Sequence, residues 1–182
     1  MKRNTTKSCF PSARLSDLTT ALSLRGKQRK NSRRSLKKSA KSATVIANSI
    51  GAFFSMSSLD EKAVDEAYFI SPIVNMEKLI SDMIMWAGVT KDELKSRGEI
   101  VTNFGETLSW NYLCYVRENP VVWRVPTCIL YGERDNLTSY ETISAFAKEH
   151  GAKLTVMPMG EHWFHTDEQM SFLDEWIKKH NG

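Results

Sequence analysis

Short apolar runs alternate with helical patterns from residue 43 onward, and this alternation constrains the fold more than any other feature of the chain. Four runs of β-branched, aromatic or small apolar residues end at a proline, a glycine or a polar turn; they occupy residues 43–47, 67–71, 127–131 and 153–157. Helical patterns follow three of them, over residues 51–56, 140–150 and 166–179. Strands that alternate with helices favour βαβ crossovers. The sequence therefore predicts an α/β fold with a parallel sheet.

The stretch between the second and third predicted strands departs from that rhythm. Its apolar residues recur at helical spacing from Met76 to Ala87, and Gly88 follows as a helix end. A second helix is predicted over residues 107–117. We therefore expect a helical cap inserted at about residues 73–125. Its Met and Trp side chains either fill an ordinary core or line an apolar substrate pocket, and the sequence leaves both interpretations open.

The charges divide the chain into two unlike segments. Residues 1–41 contain 13 of the 25 Lys and Arg residues and one acidic residue, Asp17, which gives a net charge of +12. The rest contains 12 basic and 20 acidic residues, a net charge of −8, and the two segments together make the overall +4. Residues 1–42 are predicted to be a basic, disordered tail, because they hold too little apolar surface to offset the entropy lost on folding. Residues 43–182 are predicted to form the globular part.

A tail without a function of its own is the preferred interpretation of this basic segment. Nucleic-acid binding is an alternative with little support, because the segment has one aromatic residue, Phe10, and no recognisable binding module. A targeting peptide is a third interpretation, since acidic residues are scarce and serine is frequent.

Cysteine content and the length of apolar runs limit the class of protein. Cys9, Cys114 and Cys128 are odd in number and scattered, which argues against a disulfide framework and favours a reducing, cytoplasmic location. No apolar run approaches the ~20 residues of a membrane-spanning helix, so no membrane span is expected. His162 and His165 lack the H-E-x-x-H pattern, so no metal site is predicted.

The motif Ala47-Asn48-Ser49-Ile50-Gly51 ends the first predicted strand and opens a helix. It is an A-x-S-x-G version of the G-x-S-x-G nucleophile elbow. Small residues are required two positions before and after the serine, because the strand and helix backbones approach closely at a strained turn. The other interpretation of Ser49 is simply a small residue at a tight turn.

Two further polar residues follow predicted strands. Asp135 comes just after the third strand and His162 just after the fourth. Because the carboxyl ends of parallel strands share one edge of a sheet, Ser49, Asp135 and His162 are expected at the same edge. The alternatives stay open at this point: Asp135 could cap the next helix, Glu133 is a rival acid, and His165 is a rival histidine.

The order Ser49, Asp135, His162 on three strand ends resembles the C-terminal portion of the α/β-hydrolase superfamily, over about residues 43–180. The resemblance implies a serine hydrolase that cleaves an ester, thioester or amide bond of a small acyl substrate through an acyl-enzyme, without a cofactor. Ser49 would be the nucleophile, His162 the general base and then acid, and Asp135 the residue that orients the histidine. The backbone N–H of Ile50 would be one oxyanion donor.

The chain departs from the superfamily on the amino-terminal side of the elbow. Only 48 residues precede Ser49, and before the elbow strand at 43–47 none of them predicts a strand or the loop that carries a second oxyanion donor. The predicted fold is therefore an α/β-hydrolase truncated at the N-terminus, with an unpaired edge on the elbow strand. An inactive fragment that acts, if at all, by association through that exposed edge is the alternative function.

Overall fold

The structure is a computed structural model, which describes residues 43–180; the predicted tail at 1–42 lies outside the described residues. The strands are β1 (Ala43–Asn48), β2 (Val64–Ile70), β3 (Glu99–Val101), β4 (Thr107–Ser109), β5 (Thr127–Gly132) and β6 (Lys153–Met157). The helices are α1 (Ile50–Ser58), α2 (Met76–Trp86), α3 (Lys91–Arg97), α4 (Trp110–Glu118), α5 (Tyr140–His150) and α6 (Asp167–His180). A short 3₁₀ turn at Glu61–Ala63 precedes β2.

A four-stranded parallel sheet in the order β1-β2-β5-β6 forms the centre of the fold. Helices α1 and α5 pack on one face, where Met56 and Phe146 share a core with Phe69. Helix α6 packs on the other face, where Trp176 meets Tyr68. The residues of β2 thus alternate between two cores, as a central strand covered on both faces must. The predicted α/β class and parallel sheet are confirmed.

The predicted second strand differs from β2 at both ends. β2 begins at Val64, three residues before the apolar run. The prediction started late because the charged residues Asp65 and Glu66 interrupt the apolar pattern after Val64. It ends at Ile70, and Ser71 leaves the strand with a φ of 40°. Apolar content alone therefore misses a strand end that lies at the solvent side of a sheet.

Residues 73–125 contain three helices and a hairpin. The predicted helix over residues 107–117 is wrong in its first turn, since Thr107–Ser109 form β4 and pair antiparallel with β3. Helix α4 begins after them, where the Ser109 hydroxyl accepts a hydrogen bond from the Tyr112 N–H. Helix α3 was absent from the prediction, although Thr90 and Glu93 form a capping box at its start. Met76 and Met83 lie in the core of this region rather than in a pocket lining.

Candidate active site

The turn between β1 and α1 places Ser49 at the carboxyl edge of the sheet. Ser49 has φ 50° and ψ −124°, a conformation that costs a residue with a side chain about 1–2 kcal/mol. Its N–H donates to the Ile70 carbonyl at 2.9 Å, and its own carbonyl accepts from the N–H groups of Ala52 and Ile73, each at 3.1 Å. Three backbone hydrogen bonds therefore hold the strained turn.

The small residues on either side of the serine lie next to each other in space. A Cβ atom added to Gly51 would lie 3.9 Å from the Cβ of Ala47, which is an ordinary van der Waals contact. One methyl group therefore fits, whereas a longer side chain at either position would press on the opposite one.

A chain of two hydrogen bonds connects the three candidate residues. The Ser49 Oγ lies 2.8 Å from the His162 Nε2, and the His162 Nδ1 lies 2.8 Å from the Asp135 Oδ2. The side chains of His162 and Asp135 are both fully buried. Because a carboxylate only accepts, the proton of a neutral His162 belongs on Nδ1, which leaves Nε2 free to accept from the serine hydroxyl.

Asp135 is held by the backbone of its own turn. Its Oδ1 accepts hydrogen bonds from the Leu137 N–H at 2.8 Å and from the Thr138 N–H at 2.9 Å. Helix α5 begins later and has Ser139 as its N-cap, so the interpretation of Asp135 as a helix cap is wrong. The buried Tyr131 hydroxyl donates to the Thr138 carbonyl. Burial, and to a smaller extent the nearby negative charge of Asp135, raises the pKa of Tyr131 to about 12. Tyr131 therefore remains a donor at neutral pH and steadies this turn.

Two glycines bring the Asp135 and His162 loops into backbone contact. A Cβ atom on Gly132 would lie 2.6 Å from the Gly160 carbonyl oxygen and 2.7 Å from the Glu161 carbonyl oxygen, so no side chain fits there. The Arg134 N–H donates to the Gly160 carbonyl at 2.7 Å. This contact sets the position of His162 relative to Asp135. The sequence marked both glycines only as strand ends and turns.

The rival residues make their contacts elsewhere. Glu133 accepts a hydrogen bond from the Met159 N–H, which ties the β5–α5 loop to the β6–α6 loop. His165 is exposed, and its Nδ1 lies 3.1 Å from the Trp163 carbonyl and 3.5 Å from the Glu161 carboxylate. Glu133 and His165 therefore support or flank the site.

Backbone strain within residues 43–180 is concentrated at this edge of the sheet. Ser49, Ser71 and Met159 are the non-glycine residues with positive φ in that range, and they follow β1, β2 and β6. Ser71 is fully buried, and its hydroxyl has no hydrogen-bond partner among the described residues. A buried hydroxyl without a partner costs about 1–3 kcal/mol, in addition to the strain. No sequence pattern predicts a role for Ser71, because what distinguishes this residue is its backbone conformation.

Aromatic and apolar side chains surround the histidine and the elbow. The Trp163 ring lies 5.1 Å from the His162 ring, edge to face, and Trp163 is 59% exposed. Ile50 and Phe54, in the first turns of α1, pack against the core of the insertion. Among the described residues no cluster of His, Cys, Asp and Glu could hold a metal ion. None of the helices described is long and apolar enough to cross a membrane.

No protein-family model matches the chain, and no curated protein matches it in sequence. Solved structures do match. The esterase Est1E from Butyrivibrio proteoclasticus is 19% identical with a TM-score of 0.60, over 76% of this chain and 59% of that chain. The esterase domain of a Rhodothermus marinus protein is 14% identical with a TM-score of 0.51, over 75% of this chain and 61% of that chain.

E-2-(acetamidomethylene)succinate hydrolase is 13% identical with a TM-score of 0.51, and the match covers 87% of this chain and 74% of that chain. The chain thus spans about three fifths of the length of the two esterases. At these identities the likeness concerns the fold. Together with the parallel sheet and its helices, it shows that residues 43–180 have the α/β-hydrolase fold in partial form.

Proposed function

We propose that this protein is a serine hydrolase that cleaves an ester, thioester or amide bond through an acyl-enzyme. One observation carries the proposal: the Ser49 Oγ, the His162 ring and the Asp135 carboxylate form a continuous chain with both links at 2.8 Å. A nucleophile, a base in contact with it and an acid that orients the base are the three parts that such catalysis needs.

The geometry supports the following sequence of steps. The Ser49 Oγ attacks the carbonyl carbon of the substrate while its proton moves to the His162 Nε2, and the Asp135 carboxylate stabilises the resulting imidazolium. As the tetrahedral intermediate collapses, the bond to the leaving group breaks and His162 returns the proton to it. Water then attacks the acyl-Ser49 ester, with His162 again as the base, and the acid product leaves with Ser49 restored.

The first N–H of α1 is suited to bind the oxyanion. Ile50 is the first residue of that helix, and the N–H groups of a first helical turn have no partner within the helix. Ile50 also follows Ser49 directly in the chain, as an oxyanion donor next to the nucleophile should. One such donor contributes roughly 3 kcal/mol to stabilisation of the transition state.

Aromatic and apolar esters are the substrates to test first. The exposed ring of Trp163 lies beside His162, and the exposed Met159 lies on the same loop, so an apolar group bound near the histidine has side chains to contact. A structure of Est1E, 21% identical to this chain over 72% of it, contains ferulic acid. Esters of hydroxycinnamic acids therefore belong in the first screen beside short-chain aliphatic esters.

Active-site labelling tests the proposal directly. The full chain is incubated with a fluorophosphonate probe, with Ser49→Ala as the control variant. We expect a single labelled protein whose labelling disappears in Ser49→Ala, because the probe reacts with a serine that an adjacent base activates. Absence of labelling in a soluble sample with a cooperative thermal melt would contradict the proposed hydrolase.

Association through the β1 edge is a second candidate function, and the exposure of that edge favours it. Within residues 43–180, β1 pairs with β2 alone, its sequence Ala43–Asn48 carries no charge, and Ile46 is 51% exposed. We propose a second copy of this chain as the occupant. Two β1 strands related by a two-fold axis can pair antiparallel. The free backbone N–H and C=O groups of each strand then bond to those of the other, and no like charges face each other.

Light scattering tests this association. We expect a dimer, and Ile46→Lys should shift it towards monomer because it places two like charges at the centre of the paired edge. Val101→Lys is the matched control, since Val101 is 76% exposed on β3, away from that edge. A monomeric wild-type chain at all concentrations, or equal effects of the two lysines, would exclude this arrangement.

A further inference from the structure

We propose that Ser71 is a positioning residue of the candidate site, whose hydroxyl donates a hydrogen bond to the Asp135 carboxylate when His162 carries the proton of Ser49. This inference rests on the proposed serine hydrolase function and adds a fourth residue to it. Ser71 is the buried serine whose hydroxyl has no partner in the part of the chain that the structure describes.

Ser71 lies between the nucleophile and the acid. It directly follows β2, which pairs with the elbow strand β1 on one side and with β5 on the other. Its N–H donates to the Leu130 carbonyl of β5 at 2.8 Å, and the next residue, Pro72, receives the Thr138 hydroxyl on its carbonyl at 3.4 Å. Ser71 is thereby joined to the β5 end and to the turn that holds Asp135.

The hydrogen bonds of the site residues leave one donor and one acceptor unused, the Ser71 hydroxyl and a lone pair of the Asp135 carboxylate. The Ser49 Oγ is hydrogen-bonded to His162, and both ring nitrogens of His162 are already engaged, one with Ser49 and one with Asp135. Asp135 accepts two backbone N–H groups on Oδ1 and His162 on Oδ2, whereas a carboxylate has room for about four donors. Ser71 has a buried hydroxyl without an acceptor among the described residues, and Asp135 has a carboxylate with a free lone pair; the two residues follow the paired strands β2 and β5.

Proton transfer from Ser49 to His162 would give a hydrogen bond from Ser71 to Asp135 a role in catalysis. When the proton moves from Ser49 to His162, the buried Asp135 must face a cation while it keeps its orientation. A serine hydroxyl can reach new partners by rotation about its Cα–Cβ bond, without backbone movement. A bond from Ser71 to the second lone pair of Oδ2 would hold the carboxylate in line with the Nδ1–H. The hydrogen bond from the Ser71 N–H to the Leu130 carbonyl helps to hold Ser71 at a φ of 40°, against its backbone preference.

Two substitutions separate the hydroxyl from the strain. Ser71→Ala removes the hydroxyl and keeps a Cβ atom at positive φ, whereas Ser71→Gly removes the hydroxyl and relieves the strain. Ser57→Ala is the control, because Ser57 donates its hydroxyl to the Phe53 carbonyl on α1 and lies outside the site. The full chain of each variant is measured for its rate of fluorophosphonate labelling. The histidine ring nitrogens are followed by NMR in isotopically labelled protein across a pH series.

We expect both Ser71 variants to label about tenfold more slowly and to show a changed His162 titration. Neither should be less stable than the wild type, because each removes a buried hydroxyl that has no partner among the described residues. Ser57→Ala should match the wild type in both readouts. Wild-type labelling rates and an unchanged His162 titration in both Ser71 variants would overturn the proposal and leave the hydrolase function standing. If no protein labels but the His162 titration changes in both variants, the hydrolase function fails and the contact to Asp135 stands.

Discussion

The two halves of the candidate site are built in different ways. On the acid side, the Asp135 and His162 loops touch backbone to backbone at Gly132 and Gly160, and both functional side chains are fully buried. On the nucleophile side, Ser49 follows β1, which pairs with β2 alone among residues 43–180, and a Cβ atom on Gly51 would make only an ordinary contact.

The difference indicates where the site can tolerate change. The acid side depends on atoms that have no freedom to move, so small additions should disrupt it. The nucleophile side depends on a strained turn that three backbone hydrogen bonds hold, and its weak point is the edge of β1 that no strand within residues 43–180 pairs with. Packing thus sets the geometry on the acid side, whereas the position of Ser49 depends on how firmly β1 is held in the sheet.

The largest expected effect concerns the acid itself. Asp135→Asn should lower the labelling rate by about 10⁴-fold, because an amide stabilises the wrong histidine tautomer and provides no charge for the imidazolium. Rates of fluorophosphonate labelling measure it. Glu133→Gln is the matched control and should stay within about twofold of the wild type, since its carboxylate serves the Met159 N–H rather than His162. Equal losses in the two variants would contradict the assignment of Asp135.

A methyl group on the acid side should have the next largest effect. Gly132→Ala places a Cβ atom 2.6 Å from the Gly160 carbonyl oxygen, so the two loops must separate. The free energy of unfolding should fall by ~3 kcal/mol, and labelling should be lost with it, because His162 moves away from Asp135. Urea unfolding followed by circular dichroism gives the first quantity. A stability within 0.5 kcal/mol of the wild type, as a rough threshold, would show that the loop contact is adjustable.

The same methyl group on the nucleophile side should have the smallest effect. Gly51→Ala adds a Cβ atom that meets the Cβ of Ala47 at 3.9 Å, and position 51 lies in helix α1. The free energy of unfolding should stay constant or rise by about 0.5 kcal/mol, since alanine favours a helix over glycine. Labelling should persist. A loss as large as that of Gly132→Ala in the same urea experiment would remove the contrast between the two halves.

Much of this site could be predicted from the sequence because its parts are local. The β-branched runs that became β1, β5 and β6, and the Ala47-to-Gly51 turn, depend on neighbours a few residues apart. The hairpin Glu99–Ser109 was missed because its strands have three residues each and its stability comes from pairing rather than from pattern. Helix α3 is also short, and the capping box of Thr90 and Glu93 is the only sequence pattern that indicates it.

The sequence by itself determined the order of strands and helices, the elbow motif, and three polar residues at strand ends. Only the tertiary structure decided that His162 rather than His165 contacts Ser49, and that Asp135 rather than Glu133 contacts His162. It did so because a contact between two loops, in which Gly132 has no room for a side chain and Gly160 only tight room, sets which residues face inward. Such a contact joins residues far apart in the chain, and no local pattern records it.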